Sequence, residues 1–191
     1  MRRGGFFSFI TDHRKRLLKM MPNGSICAEI GVWKGDFSQR ILEINNPSEL
    51  HLIDPWMFQP SFPSRWYGGV KAGSQSDMDD IFESVRERFA GSPEVSFHRK
   101  TSGEAHSEFP NDFFDWVYVD GSHDYDSVKS DLELYFPKVK PDGFLTGDDY
   151  FLPCQETGGP APVKQAVQDF GKENQASIVK IIGGQFIIQK N

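Results

Sequence analysis

The chain has 191 residues, of which 38% are hydrophobic and 25% charged, and its formal net charge is -6. That suits one folded domain spanning residues 1–191 around a single core and leaves little room for a second. An acidic chain without a long basic run carries no electrostatic footprint for nucleic acid, and no apolar run approaches the length of a membrane-crossing helix.

Two cysteines, Cys27 and Cys154, lack metal-ligand spacing. They suit a reducing compartment, with Cys27 a core residue. Near the start, Phe6-Phe7-Ser8-Phe9-Ile10 is too short for a signal-peptide core and runs into Thr11-Asp12-His13-Arg14-Lys15-Arg16. A cytoplasmic location is therefore expected, with residues 1–20 a helical N-terminal extension.

From there short apolar runs alternate with amphipathic stretches, the pattern of a βαβ sheet. Ser25–Val32 reads as a buried strand. Asp36–Ile44 follows as a helix that puts Phe37, Ile41 and Ile44 on one face, with Asp36 expected at the N-cap. Glu49–Asp54 is the second strand, stopped by Pro55. Residues 55–76 form a long irregular segment holding Trp56, Phe58, Phe62, Trp66 and Tyr67; a connection of this length and aromatic content reads as a lid. A helix over Asp77–Ala90 comes next, then strands over Glu94–Lys100 and Phe113–Asp120. Asp124–Phe136 is a helix, Gly143–Asp149 a fifth strand and Pro162–Glu173 a last helix. Ile178–Ile182 and Phe186–Gln189 flank Gly183-Gly184 as an antiparallel hairpin. The sum is an α/β, doubly wound, mostly parallel sheet with an antiparallel C-terminal edge.

Three clusters fall at the carboxyl ends of these strands, where open α/β sheets bind ligands. The first is Glu29-Ile30-Gly31-Val32-Trp33-Lys34-Gly35. Its glycines let the backbone approach a ligand and turn into a helix whose first N–H groups are free. A carboxylate at Glu29 would repel a pyrophosphate but suits a cationic amino-acid group. A purely structural strand-to-helix turn is the competing reading. The second is Asp54, placed after the glycine turn where an acid accepts from ribose hydroxyls; a turn aspartate before proline is its plain alternative.

The third cluster is a set of acids: Asp120, with His123, after the fourth strand, and Asp148-Asp149 after the fifth. Three carboxylates on one rim repel unless a cation holds them. Oxygen ligands of this kind suit Mg²⁺, Mn²⁺ or Ca²⁺. Helix capping by Asp120 or Asp124 is the alternative. Ser102, beyond the third strand, either contacts an adenine ring or caps a turn. His13, His51, His98 and His106 occupy positions with no catalytic pattern around them.

Glu29–Gly35, Leu50–Trp56, Val117–Tyr125, Asp131-Leu132 and Pro141–Tyr150 together resemble the class I S-adenosylmethionine-dependent methyltransferases. Among these they are similar to methyltransferase family 24, related to macrocin-type sugar O-methyltransferases. Val163–Phe170 fits the late helix of the group, so the resemblance covers about residues 20–190. It implies a Rossmann-like sheet of seven strands. It also implies that Glu29, Gly31, Trp33 and Gly35 hold the methionine end of S-adenosylmethionine, that Asp54 holds the ribose, and that Ser102 reaches the adenine.

Acids matching Asp120, Asp148 and Asp149 bind Mg²⁺ in the metal-dependent members, whereas His123 stands where members differ. The implied reaction is O-methylation of a small-molecule hydroxyl, such as that of a sugar or glycoside. His123 or Asp120 would be the base, and the 55–76 lid would close over the acceptor. Aminopropyl transfer on the same scaffold, and a nucleotide-binding module without turnover, remain the alternatives. The oligomeric state is left open, a homo-oligomer included.

Overall fold

The computed structural model describes residues 13–61, 66–154 and 159–191. Of the expected N-terminal extension, residues 13–18 are helical (α1), and residues 1–12 lie outside the described part. The remaining strands are β1 (Ile26–Ile30), β2 (Glu49–Ile53), β3 (Val95–His98), β4 (Phe114–Val119), β5 (Val139–Gly147), β6 (Ser177–Ile182) and β7 (Gln185–Gln189). The helices are α2 (Asp36–Asn45), α3 (Gln75–Arg88), the short α4 (Ser102–Ala105), α5 (Tyr125–Tyr135) and α6 (Pro162–Glu173).

The strands form one seven-stranded sheet in the order β3-β2-β1-β4-β5-β7-β6. The first five run parallel, while β7 pairs antiparallel with both β5 and β6. Order reverses between β1 and β4, because the chain winds outward through β2 and β3 and then returns. That reversal puts the switch point of the sheet at the carboxyl ends of β1 and β4, where open α/β sheets bind ligands.

Alternating side chains divide the core into two layers, as the two-residue period of a strand requires. Cys27, Leu50, Leu52, Trp116 and Tyr118 pack against Phe37 and Ile41 of α2, Val85 of α3, and Leu17 and Leu18 of α1. Ala28, Val117 and Val119 face Val128 and Leu132 of α5 and Val163, Val167 and Phe170 of α6. Cys27 is fully buried.

Several boundaries depart from the sequence expectation for local reasons. Gly35, not Asp36, is the N-cap of α2: it adopts φ 73° and leaves Asp36 as the first helical residue. Ser74 accepts from the Asp77 N–H, so α3 starts at Gln75 and shortens the lid from its far side. Asp124 accepts from Ser127 N–H and caps α5, which settles which acid near this turn is the cap. β5 begins at Val139, ahead of Pro141 and Gly143. A strand read from apolar pattern alone stops at such residues.

Candidate functional site

Two parts of the rim touch at the switch point. Asp120 N–H donates to Ile30 O at 2.8 Å, binding the end of β4 to the end of β1. Gly31 has φ 88°, and a Cβ there would lie 2.1 Å from the Asp120 carbonyl oxygen. Only glycine lets the turn after β1 pass this close to the turn after β4. The glycine turn and the acid rim are therefore one site.

Asp54 anchors the glycine turn from β2. Its Oδ2 accepts from Val32 N–H and Trp33 N–H, each at 2.9 Å. Its Oδ1 accepts from Trp56 N–H at 2.7 Å and from the Tyr67 hydroxyl at 2.6 Å. Burial pushes its carboxyl up, and these four donors oppose the shift. The tryptophans on either side, Trp33 and Trp56, have φ 52° and 42°. Left-handed backbone at bulky residues costs energy and persists where the surroundings impose it. Trp56 is fully buried, and its indole N–H donates to Trp33 O at 2.8 Å, so lid and glycine turn are fastened together. Phe62 lies outside the described residues.

Glu29 is buried beneath the same turn and accepts from the Ser38 hydroxyl at 2.5 Å. Burial raises it to about 8, with the Ser38 hydrogen bond pulling the other way. Without a cationic partner it is thus largely a neutral acid at pH 7. Ser102 is the first residue of α4; its hydroxyl donates to Asp131 Oδ1 at 2.5 Å. Of the two readings of Ser102, the cap is supplied instead by its neighbour Thr101, which forms a capping box with Glu104. Burial pushes Asp131 up to about 6.

The acids at the tips of β4 and β5 do converge, and they separate into two environments. Asp120, His123 and Asp149 each offer one ligand atom, all within 4.8 Å of one another. His123 Nε2 lies 3.1 Å from Asp149 Oδ2 and 3.6 Å from Asp120 Oδ1. Burial disfavours the His123 charge, but the Asp120 hydrogen bond and the Asp149, Asp120 and Asp148 charges outweigh it and raise the ring. Burial also pushes Asp149 up to about 6, opposed by His123. Asp149 itself has φ 59°, a left-handed backbone that persists where the surroundings impose it. Carboxylates and an imidazole at this spacing are a donor set that fits a divalent cation.

Asp148 sits behind them on different partners. Its Oδ1 accepts from Asp149 N–H at 2.7 Å and from the Gln185 side-chain amide, and its Oδ2 accepts from Arg14 Nε at 2.7 Å and from Arg14 Nη2. The same Nη2 reaches Asp120 Oδ2 at 2.7 Å. Burial and the Asp120 charge push Asp148 up, with Arg14 opposing. Gln185 is held in turn by the buried Tyr118 hydroxyl at 2.7 Å. Arg14 was not among the sequence-derived site residues. In the sequence it belongs to the charged stretch Thr11–Arg16 of the expected N-terminal extension; the one signal for it was the demand of clustered acids for a counter-charge.

The chain matches the Methyltransferase domain of methyltransferase family 24 over residues 28–150. Curated proteins give no match. Among solved structures, the chain is similar to the O-methyltransferase NovP, with 19% identity, a TM-score of 0.64, and coverage of 94% of this chain and 80% of that one. The N-methyltransferase NodS from Bradyrhizobium japonicum is 13% identical with a TM-score of 0.64, covering 96% and 97%. The O-methyltransferase TomG from Streptomyces achromogenes, solved with S-adenosylmethionine, is 15% identical with a TM-score of 0.61, covering 95% and 80%. At such identities these likenesses speak for the fold.

Proposed function

The chain belongs to the methyltransferase-domain family of group 24, and from that premise we propose that it transfers a methyl group from S-adenosylmethionine to a hydroxyl of a small molecule with the help of a divalent cation. The observation that carries this reading is the close approach of Gly31 to the Asp120 carbonyl, a Cβ being excluded at 2.1 Å. It makes the glycine turn and the Asp120–His123–Asp149 cluster two walls of one crevice. Cofactor and acceptor bound there would lie side by side, which is what a direct displacement needs.

Glu29 and the Gly31–Gly35 backbone are assigned to the methionine end of the cofactor, Asp54 to the ribose, and Ser102 to the adenine side. Trp33 belongs to the same turn, with Lys34 Nζ 4.8 Å from its ring centroid. Bound in this site, the cofactor would supply a methyl already activated on a sulfonium, and the cation would lower the pKa of a hydroxyl beside it. Asp120 and Asp149 would hold that cation, with His123 beside them. His123 is the base for the acceptor proton, and Asp149 Oδ2 at 3.1 Å stabilises the imidazolium that results.

Trp56 and Tyr67 belong to the lid over 55–74, which excludes water from the acceptor. A sugar or glycoside suits this aromatic lid. Two alternatives are weaker: aminopropyl transfer leaves the acid rim without a task, and a binding module would not need His123 set between two carboxylates. Among the described residues no helix is long and apolar enough to cross a membrane.

Calorimetric titration with S-adenosylmethionine, with and without Mg²⁺, tests the proposal. Micromolar binding followed by methyl transfer to sugar hydroxyls, abolished by chelator, is the expected result. Absence of binding in both conditions would sink it.

A further inference from the structure

The acid rim has a permanent cation of its own. Each Asp148 oxygen already accepts two protein donors: Arg14 Nε and Nη2 on Oδ2, Gln185 Nε2 and Asp149 N–H on Oδ1. An ionised carboxylate offers about four acceptor positions, so Asp148 has none left. Asp120 is divided. Its Oδ2 is taken by Arg14 at 2.7 Å, while its Oδ1 faces His123 Nε2 at 3.6 Å.

Arg14 is well placed to stay. Its side chain is three-quarters buried, at 25% exposure, and its guanidinium carbon lies 5.3 Å from the Phe37 ring centroid. The helical turn that carries it is anchored by Leu17 and Leu18, both fully buried. Close by, the His13 ring fills the space beside Gly183, where a Cβ would come within 2.5 Å of it. Arg14 thus reaches the rim from the opposite end of the sequence on a packed element.

We infer that Arg14 is a positioning residue: it saturates Asp148 and one oxygen of Asp120, and so directs any divalent cation to Asp120 Oδ1 and Asp149, with Asp148 outside the ligand set. This rests on the metal-assisted reading given above. It differs from a site of three aspartates in two respects. Asp148 is a counter-ion to arginine, and His123 stands beside the cation as the base. Removing the guanidinium frees two carboxylate oxygens and takes one positive charge from beside the cation. Both effects favour metal binding.

The test is Mn²⁺ binding to the full chain, followed by calorimetry and by the loss of the free-ion paramagnetic resonance signal. Arg14→Gln is expected to bind Mn²⁺ roughly tenfold more tightly than the wild type, the scale set by one unit charge near a divalent ion across a hydrated rim. Its thermal midpoint without metal should fall, since two acids lose their counter-charge, and saturating Mn²⁺ should restore it. Arg14→Lys keeps the charge and should stay near wild-type Mn²⁺ affinity. Asp149→Asn should abolish Mn²⁺ binding, whereas Asp148→Asn should weaken it only a few-fold.

Binding by Arg14→Gln but not by the wild type would overturn the inference, because Arg14 would then exclude the cation instead of directing it. Weaker binding in Arg14→Gln, or loss in Asp148→Asn equal to that in Asp149→Asn, would overturn it. So would a failure of every form to bind Mn²⁺. Titration of the same preparations with S-adenosylhomocysteine separates that failure from failure of the methyltransferase reading.

Discussion

The Tyr67 hydroxyl donates to Asp54 Oδ1 at 2.6 Å, from a turn of the lid (Trp66–Val70) that lies outside the sheet. It occupies the last acceptor position of a carboxylate whose other three are held by the N–H groups of Val32, Trp33 and Trp56. A ribose hydroxyl can reach Asp54 only if one donor leaves, and Tyr67 alone can leave without dismantling the glycine turn. Tyr67→Phe should therefore bind S-adenosylhomocysteine more tightly, by roughly tenfold, the worth of one hydrogen bond to a charged group. Calorimetry reads this directly. Weaker binding in Tyr67→Phe would mean instead that the hydroxyl stays and contacts the cofactor.

Glu29 gives a second prediction, through protons. Burial raises it to about 8, so at pH 7 it enters binding mostly protonated, and a cationic amino group beside it would drive the proton off. The binding enthalpy of S-adenosylmethionine should then vary with the ionisation enthalpy of the buffer, with a slope approaching one proton released. Glu29→Gln should flatten that dependence.

The same shift has a consequence for the unliganded protein. A carboxyl raised on folding binds more protons folded than unfolded, so stability is highest below the ordinary carboxylate pKa and declines as pH rises toward about 8. Thermal midpoints of Glu29→Gln should decline less than those of the wild type over that window. Parallel curves for the two would show that another group dominates.

What the sequence made legible follows from which constraints are local. The glycine turn, Asp54 and the acids after β4 and β5 were readable because each sits at a strand end fixed by hydrophobic pattern and a following breaker. The α6 span could be read because Pro162 marks its first turn and Val163, Ala166, Val167 and Phe170 keep a helical period. The start of β5 was hidden by Pro141 and Gly143, whose presence in the strand is settled by pairing with β4, Val139 against Phe114. Arg14 was not legible for the same reason: its partners Asp120 and Asp148 lie 106 and 134 residues away, and no local pattern encodes such a contact. The saturation of Asp54 and Asp148 was equally hidden, because counting acceptors requires knowing the donors.

Gly31 and Gly24 separate backbone conformation from close approach. Both have positive φ, 88° and 65°, but a Cβ on Gly24 meets nothing within 4 Å, whereas one on Gly31 meets the Asp120 carbonyl at 2.1 Å. Gly24→Ala should cost about 1 kcal/mol, the usual scale of left-handed strain. Gly31→Ala should cost at least about 3 kcal/mol in urea denaturation, because backbone at the switch point must move as well. It should also abolish S-adenosylhomocysteine binding in whatever protein remains folded. Equal costs at the two positions would mean that the β1 and β4 turns can part freely, and the shared crevice would lose its basis.

The assignment of His123 as base has a kinetic signature. A general base acts in its neutral form, so the rate should rise with pH through the His123 pKa. Asp120 and Asp149 raise that value in the metal-free protein despite burial, and a cation held by the same carboxylates offsets that rise. His123→Gln should lower kcat about 100-fold or more, the usual worth of a positioned base, and remove that rising limb, while S-adenosylhomocysteine affinity stays near wild type. If the limb persists in His123→Gln at reduced rate, the proton goes to another acceptor. Asp120, the nearest carboxylate on the same turn, would then take over the role, and His123 would keep only its place beside the cation.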